Sequence, residues 1–493
     1  MKKAGSLICI AITLPVIVWG VCGILPTFDD FTSLQSPWQV QIADEGYFFS
    51  DAVRRPFDYL LGLLVGYVPS LFPTLNHVLI VLGHAASALI VYTICRRLNM
   101  SLTATNIATL FFFFSPASLG ATLACDGFNQ TFAQLWGLAA LWTYLTKHNH
   151  LWVACVVMAA LSKENGLAWA VVPPILAYGF RLTDRRTALR HVGIGLAVAF
   201  VYFALYFTIY RSGMLGIEYA EEYSQGSWLS HLKDFMQLMA YTWLPIDYVS
   251  AIYPPSRNWA IVALTAILSL TFLLLLAAKC GQLLKSGKNG QPKMRRLLTL
   301  VACFFIIVSP HLVTLVSIMH NYAALSMAAL IVACLITEPA ASQPVADGLP
   351  VSSKPAALIA LFALYLAACL MTDVHHYLSA RESGLLGRQL ALQAINQAPK
   401  PVERAFCISI DNEAEPRYSN FCVRPVDAFA WGLSVRHYSH YRWTTAISEI
   451  KLPAYDRQQV EALADSALHS GNEAVWVVGH RPDSLTIITH DQR

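Results

Sequence analysis

FDDFTSLQSPWQVQIADEGYFFSDAVRRPFDYLLGLLVGYVPSLFP, residues 28–73, is the stretch from which the rest of the chain can be read. It follows an apolar run over 7–25 and carries the carboxylates Asp29, Asp30, Asp44, Glu45, Asp51 and Asp58, together with Arg54, Arg55 and Pro56. Charge is scarce elsewhere. Of 493 residues, 56% are hydrophobic and 13% charged, with a mean hydropathy of +0.49, whereas a soluble domain carries about 25% charged residues. Such a loop in so apolar a chain points to a reaction centre at a membrane surface, where a carboxylate acts as base and a cation holds a phosphate.

Windows of about 20 apolar residues recur over the first three quarters of the chain, which predicts a polytopic α-helical membrane protein. Lys2 and Lys3 precede the run 7–25, no small-residue cleavage site follows, and the run is long. It therefore reads as a retained helix with a cytoplasmic N-terminus rather than a signal peptide. Loop one, 26–73, is then outside, and its apolar segment 57–72 lies along the interface between Pro56 and Pro73. Further spans are expected over 74–95, 102–121, 128–146, 151–161, 167–180, 192–210, 259–278, 297–317, 322–337 and 356–371, about eleven in all. This alternation places about sixteen Lys and Arg on the cytoplasmic side and about six in the outer loops, as the positive-inside rule requires. The odd number of spans leaves the tail outside.

The chain thus divides into a transmembrane module, 1–372, and a soluble extracytoplasmic domain, 373–493, where the composition changes. In the tail, 402–410, 474–478 and 485–489 read as strands and 457–469 as a helix, a small α/β domain. Cys407 and Cys422 lie in this polar tail, where they either form a disulfide or remain two free thiols. The other Cys are scattered through spans, and no CxxC or Cys/His cluster suggests a metal. The net charge of +4 comes with basic residues in short loops between spans, so it does not signal nucleic-acid binding.

Several stretches could carry chemistry. Asp29-Asp30 lies just beyond the first span, at headgroup level, where a partly desolvated carboxylate can act as general base; alternatively the pair caps a helix at a solvated loop start. The Arg54-Arg55-Pro56 forks match phosphate oxygens, or they snorkel above an amphipathic segment. Lys163 and Glu164, in LSKENGLAW, fall in a short outer turn, where the ammonium could neutralise a lipid-linked phosphate and Glu164 orient it. The plainer reading is an ion pair at a turn. Asn76, His77 and His84 share a helix face, Asp126 and Asn129 sit in the next outer turn, and His311, His320, Asn321 and Tyr322 flank a later one. These read as pocket lining or as satisfied packing residues. EYAEEYSQGSW, 218–228, is an acidic-aromatic loop that binds sugar or lies at the interface.

Taken together, these stretches resemble the GT-C superfamily of membrane glycosyltransferases, most closely the branch of protein O-mannosyltransferases and their bacterial relatives. The resemblance runs over about 1–180, through Asp29-Asp30 after the first span, Arg55-Pro56, the helix LNHVLIVLGHAASALIVYTICRRL, the turn Ser115-Pro116, and Ser162-Lys163-Glu164-Asn165-Gly166. The chain departs from that pattern where Ser115 stands for the usual histidine, where Gly120-Ala121 replaces an acidic residue, and where His320-Asn321-Tyr322 opens a late span.

The resemblance implies an inverting transfer of a sugar from a polyprenyl-phosphate donor to an acceptor hydroxyl on the outer face of the membrane. Asp29, or Asp30 in its place, would be the base, and Arg54, Arg55 and Lys163, with Glu164, would hold the donor phosphate. His77, His84, Asp126, His320 and Tyr322 would line the pocket. No cofactor or metal is expected beyond the lipid-linked donor, and the acceptor would be a glycan, a lipid or a protein. In a bacterium the chain would reside in the cytoplasmic membrane. Two other classes fit the composition: a transporter or flippase for a lipid-linked glycan, which requires polar residues deep in several spans, and a non-catalytic envelope assembly protein that binds a partner through its tail.

Overall fold

The computed structural model describes residues 5–27, 30–31, 55–211, 228–245, 258–312, 318–337, 355–398, 400–410, 428–479 and 485–489. The chain is predominantly helical. Helix α1 spans Gly5–Val21, α2 Pro56–Tyr67, α3 Thr74–Arg97, α4 Leu102–Phe113, α5 Leu119–Thr122, α6 Phe128–Leu145 and α7 Asn149–Ser162. They are followed by α8 (Val172–Gly179), α9 (Arg185–Arg211), α10 (Trp228–Trp243), α11 (Trp259–Lys285), α12 (Gly287–Val308), α13 (Asn321–Ile336) and α14 (Pro355–Gln397).

Local chemistry fixes many of the boundaries. Pro56 opens α2, where its missing N–H costs nothing, and Asp58 follows in the first turn beside the positive end of the helix dipole. The Ser101 hydroxyl accepts the Ala104 N–H to cap α4, and the Asn258 side chain accepts from Ala260 and Ile261 to cap α11. Every residue of α13 is buried. A helix apolar on all sides belongs at the centre of a bundle, and α13 shares its core with α4, α10 and α12.

Among the described residues, α3, α9, α11 and α14 are long and apolar enough to cross a membrane, and α4 with Pro116–Thr122 forms a fifth candidate bent by 45°. Helices α1, α7 and α13 are apolar but shorter. The expectation of about eleven full-length spans is corrected accordingly, and the causes are local. Pro116 cannot continue α4, so the run 102–121 breaks. The run 167–180 splits into a 3-10 turn, Glu164–Ala170, and the short α8 with its Pro173-Pro174 pair. Of the run 297–317, residues 297–308 are the second half of α12, whose first half carries Lys293, Arg295 and Arg296, and Ser309–Leu312 form a 3-10 turn.

The change of composition at 373 falls inside α14, which continues without a break for 43 residues. Its distal end joins the tail's core, where Leu390, Ala391 and Ala394 pack with Ala405, Phe429 and Trp476. The tail adds β1 (Arg404–Ile410), α15 (Leu433–Tyr438), β2 (Ala446–Leu452), α16 (Arg457–His469), β3 (Ala474–Val478) and β4 (Leu485–Thr489). The strand order is β2-β1-β3-β4, with β1 parallel to β2 and β3, and β3 antiparallel to β4. Ala405 and Cys407 on β1 and Trp476 and Val478 on β3 face the end of α14, while Ile408, Val475 and Val477 face α16. Burial on both faces explains why β1 and β3 read as largely apolar runs. Cys407 is a buried free thiol, and Cys422 lies outside the described residues.

A further apolar cluster ties the tail to loop one. Ala430, Leu433 and Tyr438 pack with Phe31, with Leu61 and Val65 of α2, and with Phe72, Ile80 and Phe128. Gly432 makes the approach to α15 possible: its φ is +101°, and a Cβ there would collide with the Thr445 carbonyl.

Candidate functional site

Asp30 stands nine residues beyond the end of α1 at Val21, its N–H donating to the Thr27 carbonyl at 2.7 Å. Its side chain is only 1% exposed. One oxygen, Oδ2, accepts from the Thr27 N–H at 2.9 Å and the Thr27 hydroxyl at 3.3 Å; the other, Oδ1, accepts from the Cys125 N–H at 2.6 Å and the Asp126 N–H at 3.3 Å. The reading of this pair as a solvated loop start is corrected for Asp30, which is a buried anchor. It caps the turn Cys125–Gly127 that leads into α6. Burial and then the Asp126 carboxylate push its pKa up to about 8, against the pull of the backbone donors.

The same turn is gripped from α3. The Asn76 amide donates to the Cys125 carbonyl at 3.3 Å, and His77 Nε2 lies 3.4 Å from Cys125 Sγ. Asp126, half-buried in this turn, lies within electrostatic reach of Asp30, Asp58 and Lys163.

The basic half of the site comes from the start of α2 and the turn after α7. Arg55 pairs with Glu164 at 2.9 Å, each side chain about a quarter exposed (26% and 28%). Lys163 is extended, with φ −158° and ψ 146°, and its carbonyl accepts the Gly166 N–H at 2.9 Å. Gly166 is required here because a Cβ would strike the Ala159 carbonyl as the turn folds back on α7. Burial, and then repulsion from Arg55, lower the Lys163 pKa to about 8, while Glu164, Asp126 and Asp58 act in the opposite sense. Among the described residues, Lys163 forms no ion pair.

Sequence reasoning read Asn129 as pocket lining or packing, named Asp58 only among the loop-one carboxylates and Asn165 only within the motif 162–166, and did not single out Gln130. Asp58 Oδ2 accepts from Asn129 Nδ2 at 2.8 Å, joining α2 to α6. Burial pushes the Asp58 pKa up to about 7, with Arg55 the largest opposing influence. The Asn165 amide donates to Gln130 Oε1 at 3.4 Å, which ties the Lys163 turn to α6. Asp58 carried a legible signal, as the lone charge on the apolar segment PFDYLLGLLVGY.

Asp30, His77, Asp126, Arg55, Lys163 and Glu164 are thus gathered around the entrances to α2, α3 and α6. His84 and Tyr322 are not part of that group. His84 Nε2 lies 3.0 Å from the Phe113 carbonyl, and His84 Nδ1 lies 2.8 Å from the Tyr322 hydroxyl. The carbonyl can only accept, so Nε2 donates to it and Nδ1 accepts from Tyr322. The pair joins α3, α13 and the broken end of α4, with both side chains buried. His320 is half-buried in the 3-10 turn Ile318–His320 that leads into α13. Asp29 and Arg54 lie outside the described residues, as does most of the loop 218–228.

The assembled site offers the buried Asp30 and the half-buried Asp58, both with raised pKa values, beside a half-buried ammonium and a guanidinium. Among the described residues, no group of three or more His, Cys, Asp or Glu could hold a metal ion. Comparison of the chain with models of known families, with curated proteins and with solved structures finds no match.

Proposed function

We propose that the protein is an inverting membrane glycosyltransferase that moves a sugar from a polyprenyl-phosphate donor to an acceptor hydroxyl. The observation that carries this reading is Lys163. Its ammonium is desolvated, stands near a second cation and has no ion-pair partner among the described residues. A half-buried ammonium of this kind suits an anion, and a phosphate monoester or diester supplies one.

Arg55, steadied by Glu164, is the second phosphate ligand. Both lie toward the α2–α3 turn end of the bundle, whereas Arg96 and Arg97 close α3 about 36 Å away by helix rise. With Arg96 and Arg97 in the cytoplasm, as expected from the sequence, the site and the tail lie on the outer face.

In the proposed reaction the acceptor hydroxyl attacks the anomeric carbon on the face opposite the departing phosphate. A C–O bond forms to the acceptor as the bond from the anomeric carbon to the phosphate oxygen breaks, and the configuration inverts. The hydroxyl proton passes to a carboxylate, and polyprenyl phosphate leaves with its charge held by Lys163 and Arg55. Both oxygens of Asp30 are occupied by backbone donors and the Thr27 hydroxyl. The base is therefore assigned to Asp29, the other member of the pair, while Asp30 holds the Cys125 turn.

The test has two parts. Purified protein is titrated with a long-chain polyprenyl phosphate by native mass spectrometry, and membranes are assayed for transfer from a panel of labelled polyprenyl-phosphate sugars. Binding that is lost in Lys163→Met, with transfer lost in Asp29→Asn, is expected. Absence of polyprenyl-phosphate binding by the wild-type protein overturns the proposal.

A further inference from the structure

The Asp30 carboxylate, which anchors the Cys125 turn, is closed to solvent at 1% exposure. Part of what covers it comes from the tail. Phe31, next in sequence and itself 2% exposed, meets the His437 ring at 5.7 Å and the edge of the Tyr438 ring at 6.0 Å between centroids. His437 also meets Phe72, at the end of the loop-one segment, at 5.5 Å. Cys125, whose N–H holds Asp30, lies in the same apolar cluster as Phe31, Ala430 and Tyr438 and has no exposed surface.

This contact is apolar in area yet poorly matched in polarity. The Tyr438 hydroxyl and His437 Nδ1 are both buried without a hydrogen-bond partner, as are Arg436 Nε and the Tyr441 hydroxyl nearby. Four such atoms along one short helix and the turn after it are unusual, since buried polar groups in stable cores are paired. Water would satisfy the Tyr438 hydroxyl and His437 Nδ1 if the contact parted, which offsets part of the cost of opening it.

We infer that α15 is a removable cover: the tail closes over the Asp30–Cys125 turn through Tyr438 and His437, and lifts to admit the acceptor from the outer aqueous side. Donor and acceptor then arrive by different routes, the lipid-borne sugar along the helices and the hydroxyl through the seam between α15 and Phe31. The purpose of the cover rests on the transfer reaction proposed above; its existence does not.

The cover is tested in the full-length protein without any substrate. Alkylation of Cys125 by a small maleimide is followed by peptide mass spectrometry, with Cys303 and Cys334, buried in the helical core, as internal controls. The double variant His437→Ala/Tyr438→Ala is expected to label at Cys125 on the order of tenfold faster than wild type or more, with the two core thiols unchanged. Tyr438→Phe removes only the unpaired hydroxyl and is expected to slow Cys125 labelling below the wild-type rate, because the closed contact improves. Equal rates at Cys125 in wild type and both variants would overturn the inference. So would acceleration at all three thiols, which would mean that α15 supports the whole fold. Either failure leaves the transfer proposal standing, because that proposal is read from phosphate binding and sugar transfer.

Discussion

Asp29→Asn and Asp30→Asn, adjacent substitutions of the same kind, are expected to fail in different ways. In the wild-type protein Asp30 accepts from four donors, two on each oxygen. An Asn at this position keeps one carbonyl oxygen, which can serve the Cys125 and Asp126 N–H groups, but turns an NH2 toward the Thr27 N–H and hydroxyl. One buried backbone donor is then orphaned against another donor, at a cost of about 1–3 kcal/mol. Part of this is returned because the substitution removes a carboxylate whose charged form is disfavoured by burial and by Asp126. For a chain of this length, 1 kcal/mol is worth about 1 °C in Tm, so Asp30→Asn is expected to lower the apparent midpoint by about 1–3 °C in detergent. Transfer should fall in parallel with loosening of the Cys125–Gly127 turn. Asp29→Asn should leave the midpoint unchanged and remove transfer altogether. Tryptophan-fluorescence melts read beside sugar transfer from the same preparations decide the matter. If Asp30→Asn melts with wild type and Asp29→Asn retains transfer, both the anchoring role and the assignment of the base are wrong.

Three further outcomes follow from the same geometry. Polyprenyl-phosphate binding should be strongest below pH 7 and weaken above about pH 8, because Lys163 is charged only below its lowered pKa and Asp58 gains its charge above about 7; a flat titration from pH 6 to pH 9 contradicts this. Gly166→Ala should displace the Lys163 turn from α7, costing about 1–3 kcal/mol of stability through overpacking and weakening phosphate binding, as native mass spectrometry can show. Tyr322→Phe should cost about 1 kcal/mol by removing the hydrogen bond to His84 while leaving transfer per folded molecule unchanged; loss of turnover without loss of stability would return His84 and Tyr322 to the site.

The extent to which the fold was legible follows from burial. Strands β1 and β3 are covered on both faces, so β3 is an unbroken apolar run and β1 is apolar apart from Arg404 and Ser409, which the sequence displays directly. Strand β2, AISEIKL, was missed because it is an edge strand, mostly exposed apart from Leu452, and its Ser, Glu and Lys break any run. The helical part was over-read for the opposite reason. Apolar runs such as 102–121 and 322–337 owe their composition to burial within the protein as much as to lipid, and a helix such as α13, enclosed on every side, is indistinguishable by hydropathy from one that spans.

The candidate site divides along the same line. Arg55, Lys163, Glu164 and Asp126 were legible because a charge in so apolar a chain is conspicuous wherever it stands. What one sequence could not supply was pairing: that Arg55 takes Glu164 and leaves Lys163 without an ion pair among the described residues, that Asp30 is spent on the backbone of a turn about 95 residues away, and that His84 closes the broken end of α4. The resemblance-based order of motifs ranked all these side chains alike. Once the partners are known, the residues with satisfied hydrogen bonds drop to supporting roles. Lys163 forms no ion pair among the described residues, which is why its ammonium, rather than the more conspicuous acidic pair, is where a ligand should first be sought.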